Sequence, residues 1–139
     1  MKNLLKSALL FTALLCAVTA ANAQTGKIEF EKTTHNFGAN IPENGGDVTC
    51  RFVFTNTGDA PVTIQNVAAS CGCTTPAWTK EPVAPGQQGF VDATYRTAGR
   101  LGNFTKNLTI TNNGDPETIY LTITGTVVNA PAPTPAVTE

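Results

Sequence analysis

From Gly26 onward no stretch of the chain has the three-to-four-residue spacing of an amphipathic helix, while apolar and polar residues alternate over short runs rich in β-branched and aromatic side chains. A period of two sends successive side chains to opposite faces, so such a chain must pair its strands into sheets and bury one face of each. Ile28 and Phe30 open the first strand, and His35 to Gly38 lie in the next extended piece. Val48, Cys50, Phe52 and Phe54 share a face whose reverse shows Thr49, Arg51 and Thr55, before Asn56-Thr57-Gly58-Asp59 turns the chain. Val62 and Ile64 follow, and the phase slips at Asn66-Val67, which predicts a bulge or a change of sheet. After the Pro85-Gly86 turn signal, Val91, Ala93 and Tyr95 alternate, then Phe104, Leu108 and Ile110. The last strand turns Ile119, Leu121, Ile123 and Val127 one way and Thr118, Tyr120, Thr122, Thr124 and Thr126 the other. The chain therefore reads as all-β, a two-sheet antiparallel sandwich of about seven strands, with a small barrel as the alternative. Phe54-Thr55-Asn56-Thr57-Gly58 and Ile110-Thr111-Asn112-Asn113-Gly114 echo one another as similar turn chemistry rather than as a structural repeat.

The two ends read differently from this middle. Lys2 and Lys6, an apolar run from Ala8 to Val18 and the small-x-small triplet Ala21-Asn22-Ala23 form the pattern of a secretory signal, with cleavage between Ala23 and Gln24. The apolar run is too short to span a bilayer, and no later segment approaches about 18 uninterrupted apolar residues. Cys16 is preceded by Leu15 rather than by the small residue a lipoprotein signal requires, so it reads as part of the leader. Residues 1–23 are thus expected to be a cleaved signal peptide and residues 24–129 one domain, large enough to bury its own core. Residues 130–139, with alternating prolines, are expected to form a disordered tail. The chain beyond residue 23 carries seven Lys and Arg against ten Asp and Glu, a net charge of −3, and no basic stripe of the kind that binds nucleic acid or anionic membranes.

Reactive side chains are scarce. Beyond residue 23 the chain has three cysteines, one histidine, His35, and one serine, Ser70, so nucleophile–histidine constellations have few ways to assemble. Asp47, Asp59, Asp92 and Asp115 are scattered without a paired-carboxylate pattern. If the chain does chemistry, its place is the turn Ser70-Cys71-Gly72-Cys73-Thr74-Thr75-Pro76. Three states of that turn differ physically. Cys71 and Cys73 as thiolates would grip a soft ion such as Cu(I), with Cys50 and His35 as further ligands. Paired with each other, they would close a small, readily reducible ring around Gly72, suited to thiol–disulfide exchange, although Lys80 is the one cation near enough in sequence to activate a thiol. As structural groups, one would bridge to Cys50, or all three would pack as small buried hydrophobes; on the residues alone this third state is preferred, because Cys50 shares the alternating set of Phe52 and Phe54. With an odd number of cysteines, at least one is left without an intramolecular partner. Trp78 follows the turn, either as an exposed binding patch or as a cover over the edge of the core.

The series Phe37-Gly38, Phe52-x-Phe54-x-Asn56-x-Gly58, Ile64-x-x-Val67-x-x-Ser70-Cys71-Gly72-Cys73-Thr74, Pro85-Gly86, Gly99-x-x-Gly102-x-Phe104-x-Lys106 and Leu121-x-Ile123-x-Gly125 resembles the secreted bacterial domain-of-unknown-function family 1573. That family is similar to PapD-like and hydin-type immunoglobulin folds, and the resemblance runs from Ile28 to Val127. It implies an immunoglobulin-like sandwich in an exported, periplasmic or extracellular protein, and carries no established activity. Together these readings point to a non-enzymatic binding or scaffolding domain that engages another cell-envelope protein or component, with Cys71, Cys73 and Trp78 as binding residues. The alternative is a copper-binding or thiol–disulfide redox protein using Cys71, Cys73, Cys50 and His35.

Overall fold

The computed structural model describes residues 23–129, so the expected signal peptide, except Ala23, and the Pro-rich tail lie outside the described residues. Nine strands follow in chain order: β1 (Ile28–Phe30), β2 (Thr34–Asn36), β3 (Ile41–Pro42), β4 (Val48–Asn56), β5 (Ile64–Ala69), β6 (Thr74–Trp78), β7 (Gln88–Tyr95), β8 (Gly102–Asn112) and β9 (Thr118–Val128). They form two sheets, one ordered β1-β4-β7-β6 and the other β2-β9-β8-β5 with β3 also on β9. Among the described residues no helix is long and apolar enough to cross a membrane.

Alternation decides which face each strand buries. Phe52 and Phe54 from β4 and Val91 and Ala93 from β7 meet Leu108 and Ile110 from β8 and Leu121 and Ile123 from β9, all without solvent exposure. Burying a large apolar side chain of this kind contributes about 1.5–3 kcal/mol, which is what holds the two sheets face to face. The slipped phase near Asn66 is a register irregularity between Ile64 and Asn66 in the β5–β8 ladder. The Pro85-Gly86 turn closes with the Gln87 N–H donating to the Ala84 carbonyl at 3.0 Å.

Three features differ from the expected pattern. The sandwich has nine strands rather than about seven, because a short edge segment is split into β2 and β3 and because β6 is a further strand. These two run parallel to β9, so the five-stranded sheet is mixed rather than wholly antiparallel. Segments of three and two residues are too short to show alternation, and they exist because β9 offers a long edge for them to pair with. The third feature is β6, which runs through Pro76 and pairs with β7. The Arg96 N–H donates to the Cys73 carbonyl, and the Thr79 N–H to the Phe90 carbonyl. Hydrogen bonding to β7 thus falls on the odd positions of this strand, and Pro76, at an even one, would have pointed its N–H away from the ladder in any case. A proline there forfeits no ladder bond and blunts a free edge.

Candidate functional site

The Ser70-to-Thr74 turn is the point where the chain changes sheets, from β5 on the edge of one to β6 on the edge of the other. Both sides of the turn are tied. The Ser70 N–H donates to the Asn107 carbonyl of β8 at 2.9 Å, and the Asn107 N–H donates to Ser70 Oγ at 3.2 Å. On the other sheet the Arg96 N–H donates to the Cys73 carbonyl at 2.9 Å, and the turn itself closes with Thr74 N–H to Cys71 C=O at 3.4 Å. The lone serine beyond residue 23 is therefore an anchor of the turn.

Within this frame Cys71 and Cys73 are bonded to each other, and Cys50 is the free cysteine among the described residues. The preferred sequence reading, a bridge to Cys50 or three buried thiols, is corrected in part. Cys50 is buried in the core as expected, but β4 holds it apart in the sheet interior, while residues 71 and 73 close on one another across Gly72. In the chain-entropy picture, a three-residue loop gains about 1.6 kcal/mol from cross-linking, against about 3 kcal/mol for fifteen residues. The bond therefore adds little as a staple; its two flanking strands are already held by the hydrogen bonds above.

The two sulfurs sit in unlike surroundings. Cys71 is half-buried and Cys73 is 3% exposed. The Cys73 N–H points at Cys71 Sγ at 3.3 Å, and Thr74 Oγ1 lies 3.9 Å from Cys71 Sγ and 4.0 Å from Cys73 Sγ. Gly72 is exposed, and apart from Cys71 and Cys73 a Cβ built on it would meet no heavy atom within 4 Å.

The four residues considered as copper ligands are not brought together. Copper would need thiolates, and in the disulfide both sulfurs are spent. His35 belongs to β2 on the far edge of the other sheet, where its ring stands edge-on to Phe37 at 4.6 Å and its Nδ1 accepts from Lys32 Nζ at 3.0 Å. Burial first, and the Lys32 ammonium second, lower its pKa below the ordinary value. Among the described residues no group of three or more His, Cys, Asp or Glu is placed to hold a metal ion.

Cys50 is chemically quiet for a simple reason: desolvation pushes its thiol up to about 11. In the folded protein at neutral pH it is expected to resist alkylation by iodoacetamide and to react once denaturant opens the core, adding one label per chain by mass; labelling of Cys50 without denaturant would contradict its placement.

Trp78 packs half-buried against the core, with the Lys80 ammonium over its ring, so it covers the core's edge rather than standing as an exposed patch. Lys80, the cation thought available to the cysteines, is engaged there. Sequence reasoning did not find the asymmetry of the two sulfurs. No sequence signal marked it, since the burial of Cys73 and Thr74 follows from where β6 joins the turn in the fold.

A protein-family model described as "Protein of unknown function (DUF1573)" matches residues 28–127, the span over which the sequence resemblance was drawn. No curated protein matches the chain. Among solved structures, a protein of unknown function from Porphyromonas gingivalis W83 has a TM-score of 0.65 at 16% identity, over 75% of this chain and 48% of its own. The seventh PapD-like domain of human CEP192 gives 0.61 at 13% identity, over 77% of this chain and 89% of that domain. The secreted serine protease VesC from Vibrio cholerae gives 0.55 at 16% identity, over 76% of this chain and 24% of the protease. This chain thus spans about half of the first of these proteins and about a quarter of the third. At such identities the likeness establishes the immunoglobulin-like, PapD-like fold and nothing of activity.

Proposed function

The chain belongs to the DUF1573 family, and from that premise we propose that it is an exported, non-enzymatic module that binds another protein of the cell envelope through the outer face of its five-stranded sheet. The observation that carries this reading is the make-up of that face. The outward positions of β2, β5, β8 and β9 hold no charged residue. They are threonine and asparagine almost throughout, with Tyr120 on β9 standing 66% exposed. Neighbouring strands hold these side chains in place: Thr126 Oγ1 donates to Asn103 Oδ1 at 2.6 Å and Thr122 Oγ1 to Asn107 Oδ1 at 3.1 Å. The other sheet is built differently, since its outer face carries a bidentate Arg51–Asp92 pair with the Arg51 guanidinium over the Phe90 ring.

A face without charge avoids the largest desolvation cost, and hydroxyls and amides already ordered by cross-strand hydrogen bonds lose little freedom when covered. An exposed tyrosine supplies the rigid, amphipathic anchor that protein interfaces favour. The test is site-specific photocrosslinking in the native host, with benzoylphenylalanine at Tyr120 or, on the opposite face, at Thr49. A discrete adduct with one envelope protein from position 120, absent from position 49, is the expected result. No adduct at 120, or the same adducts from both positions, would overturn the proposal.

A further inference from the structure

We propose that the Cys71–Cys73 disulfide is a thiol-exchange site, independent of the sheet face, in which Cys71 meets the incoming thiol and Cys73 is the resolving sulfur. Three observations carry it. The bond joins residues two apart in a turn already fixed by hydrogen bonds to both sheets, so the fold does not depend on it. The two residues differ in exposure, half-buried at Cys71 and buried at Cys73, the asymmetry that lets one be attacked while the other waits. Finally, Gly72 has neither a left-handed backbone nor a crowded Cβ position to explain it. Beyond Cys71 and Cys73 nothing in the fold calls for glycine there, and its missing side chain keeps the exposed apex of the turn small beside the disulfide.

The co-reactant is a cysteine pair in an extended segment of another protein. A thiolate of that pair attacks Cys71 Sγ; the new bond joins the partner sulfur to Cys71, the Cys71–Cys73 bond breaks, and its electron pair leaves on Cys73 Sγ, which lies 4.0 Å from the Thr74 hydroxyl and takes up one of the two protons the partner dithiol gives up. The partner's second thiolate then attacks the partner sulfur of the mixed disulfide. Cys71 leaves as a thiolate facing the Cys73 N–H, which is 3.3 Å from that sulfur, and then takes up the partner's second proton. The partner dithiol is oxidised to a disulfide, the Cys71–Cys73 disulfide is reduced to a dithiol, and two protons pass from one to the other. The same steps run backwards when the dithiol form meets an oxidised partner.

The experiment uses the full chain, with glutathione and glutathione disulfide as probes and alkylation followed by peptide mass mapping as readout. Cys73→Ser, which leaves Cys71, should form the glutathione adduct at least about tenfold faster than Cys71→Ser, which leaves the buried Cys73. Gly72→Val should keep the melting temperature of the natural protein and slow opening of its disulfide by glutathione by about tenfold. Thermal melts of the serine variants check that both are folded. If either is not, the natural protein trapped in excess glutathione still decides, through an adduct at residue 71 rather than 73. Equal rates at the two cysteines, an adduct at Cys73, a Gly72→Val protein as fast as the natural one, or a disulfide that opens only on unfolding would each overturn the proposal.

Discussion

Replacing Asn56 with alanine is expected to lower the unfolding free energy by about 4 kcal/mol, enough to move the melting temperature of a domain this size by more than ten degrees. Asn56 ends β4 with its side chain wholly buried. Its Oδ1 accepts from the Lys27 N–H at 3.1 Å and the Gly58 N–H at 3.0 Å, and its Nδ2 donates to the carbonyls of Ala60 and Val83, both at 2.8 Å. One amide thus bonds four backbone groups from three separate segments, and alanine removes all four bonds at roughly 1 kcal/mol each, leaving three groups without a partner while the Val83 carbonyl keeps the Val62 N–H at 3.0 Å. Asn112, at the end of β8, makes the equivalent contacts with Gly114, Pro116 and Glu117, three bonds instead of four, so Asn112→Ala should cost less. Urea denaturation of both variants checks the order. A loss below about 1 kcal/mol for Asn56→Ala would mean that water replaces the amide at no cost, contrary to its burial.

These two asparagines show how far the sequence could be read. The repeated Phe-Thr-Asn-x-Gly and Ile-Thr-Asn-x-Gly endings were legible as matching turns, because an Asn side chain that bonds the N–H two residues on is a local device, written in three consecutive residues. That the same amide reaches Lys27 or Val83 was not legible, since those partners are brought in by the fold. Long strands behaved alike: β4, β7, β8 and β9 have enough residues for a period of two to emerge, and their buried faces are the ones the alternation marks. The short parallel pair β2 and β3 carries no such signal, and Pro76 argues against a strand until the orientation of its missing N–H is known.

The site divides along the same line. The Cys71-Gly72-Cys73 turn could be singled out from composition, because reactive side chains are so few. Which sulfurs pair could not, because pairing depends on β5 and β6 lying on opposite sheets and on Cys50 being held inside β4. The uncharged face was half-visible in the threonines of β9. Its extension over β8 and β2 needed the register that sets Thr105 beside Thr124 and Thr34 beside Thr122.

Phe104 is the second residue on which a large share of the stability rests, and it explains a glycine that helical or turn arguments do not. Its ring is buried, stacked on Tyr95 with centroids 3.8 Å apart, tilted against Phe37 at 6.3 Å, and set over the backbone of Gly125 directly across the β8–β9 ladder. A Cβ at residue 125 would stand 2.8 Å from Phe104 Cε1 and Cζ and 2.8 Å from Ile41 Cδ1. The glycine is therefore the socket for the ring, and the two positions form one packing unit. Phe104→Ala is expected to cost about 4 kcal/mol, combining lost burial with the cavity left against Tyr95. Gly125→Ala should cost about 2 kcal/mol by pushing the ring from its place. Phe104→Leu withdraws the atoms that the new methyl would strike, so the Phe104→Leu, Gly125→Ala double variant should lose less than the sum of the two single changes by more than about 0.5 kcal/mol. Urea denaturation of the four proteins gives the coupling directly. Strict additivity would show that residue 125 is glycine for the sake of its strand's backbone, and that the ring merely happens to cover it.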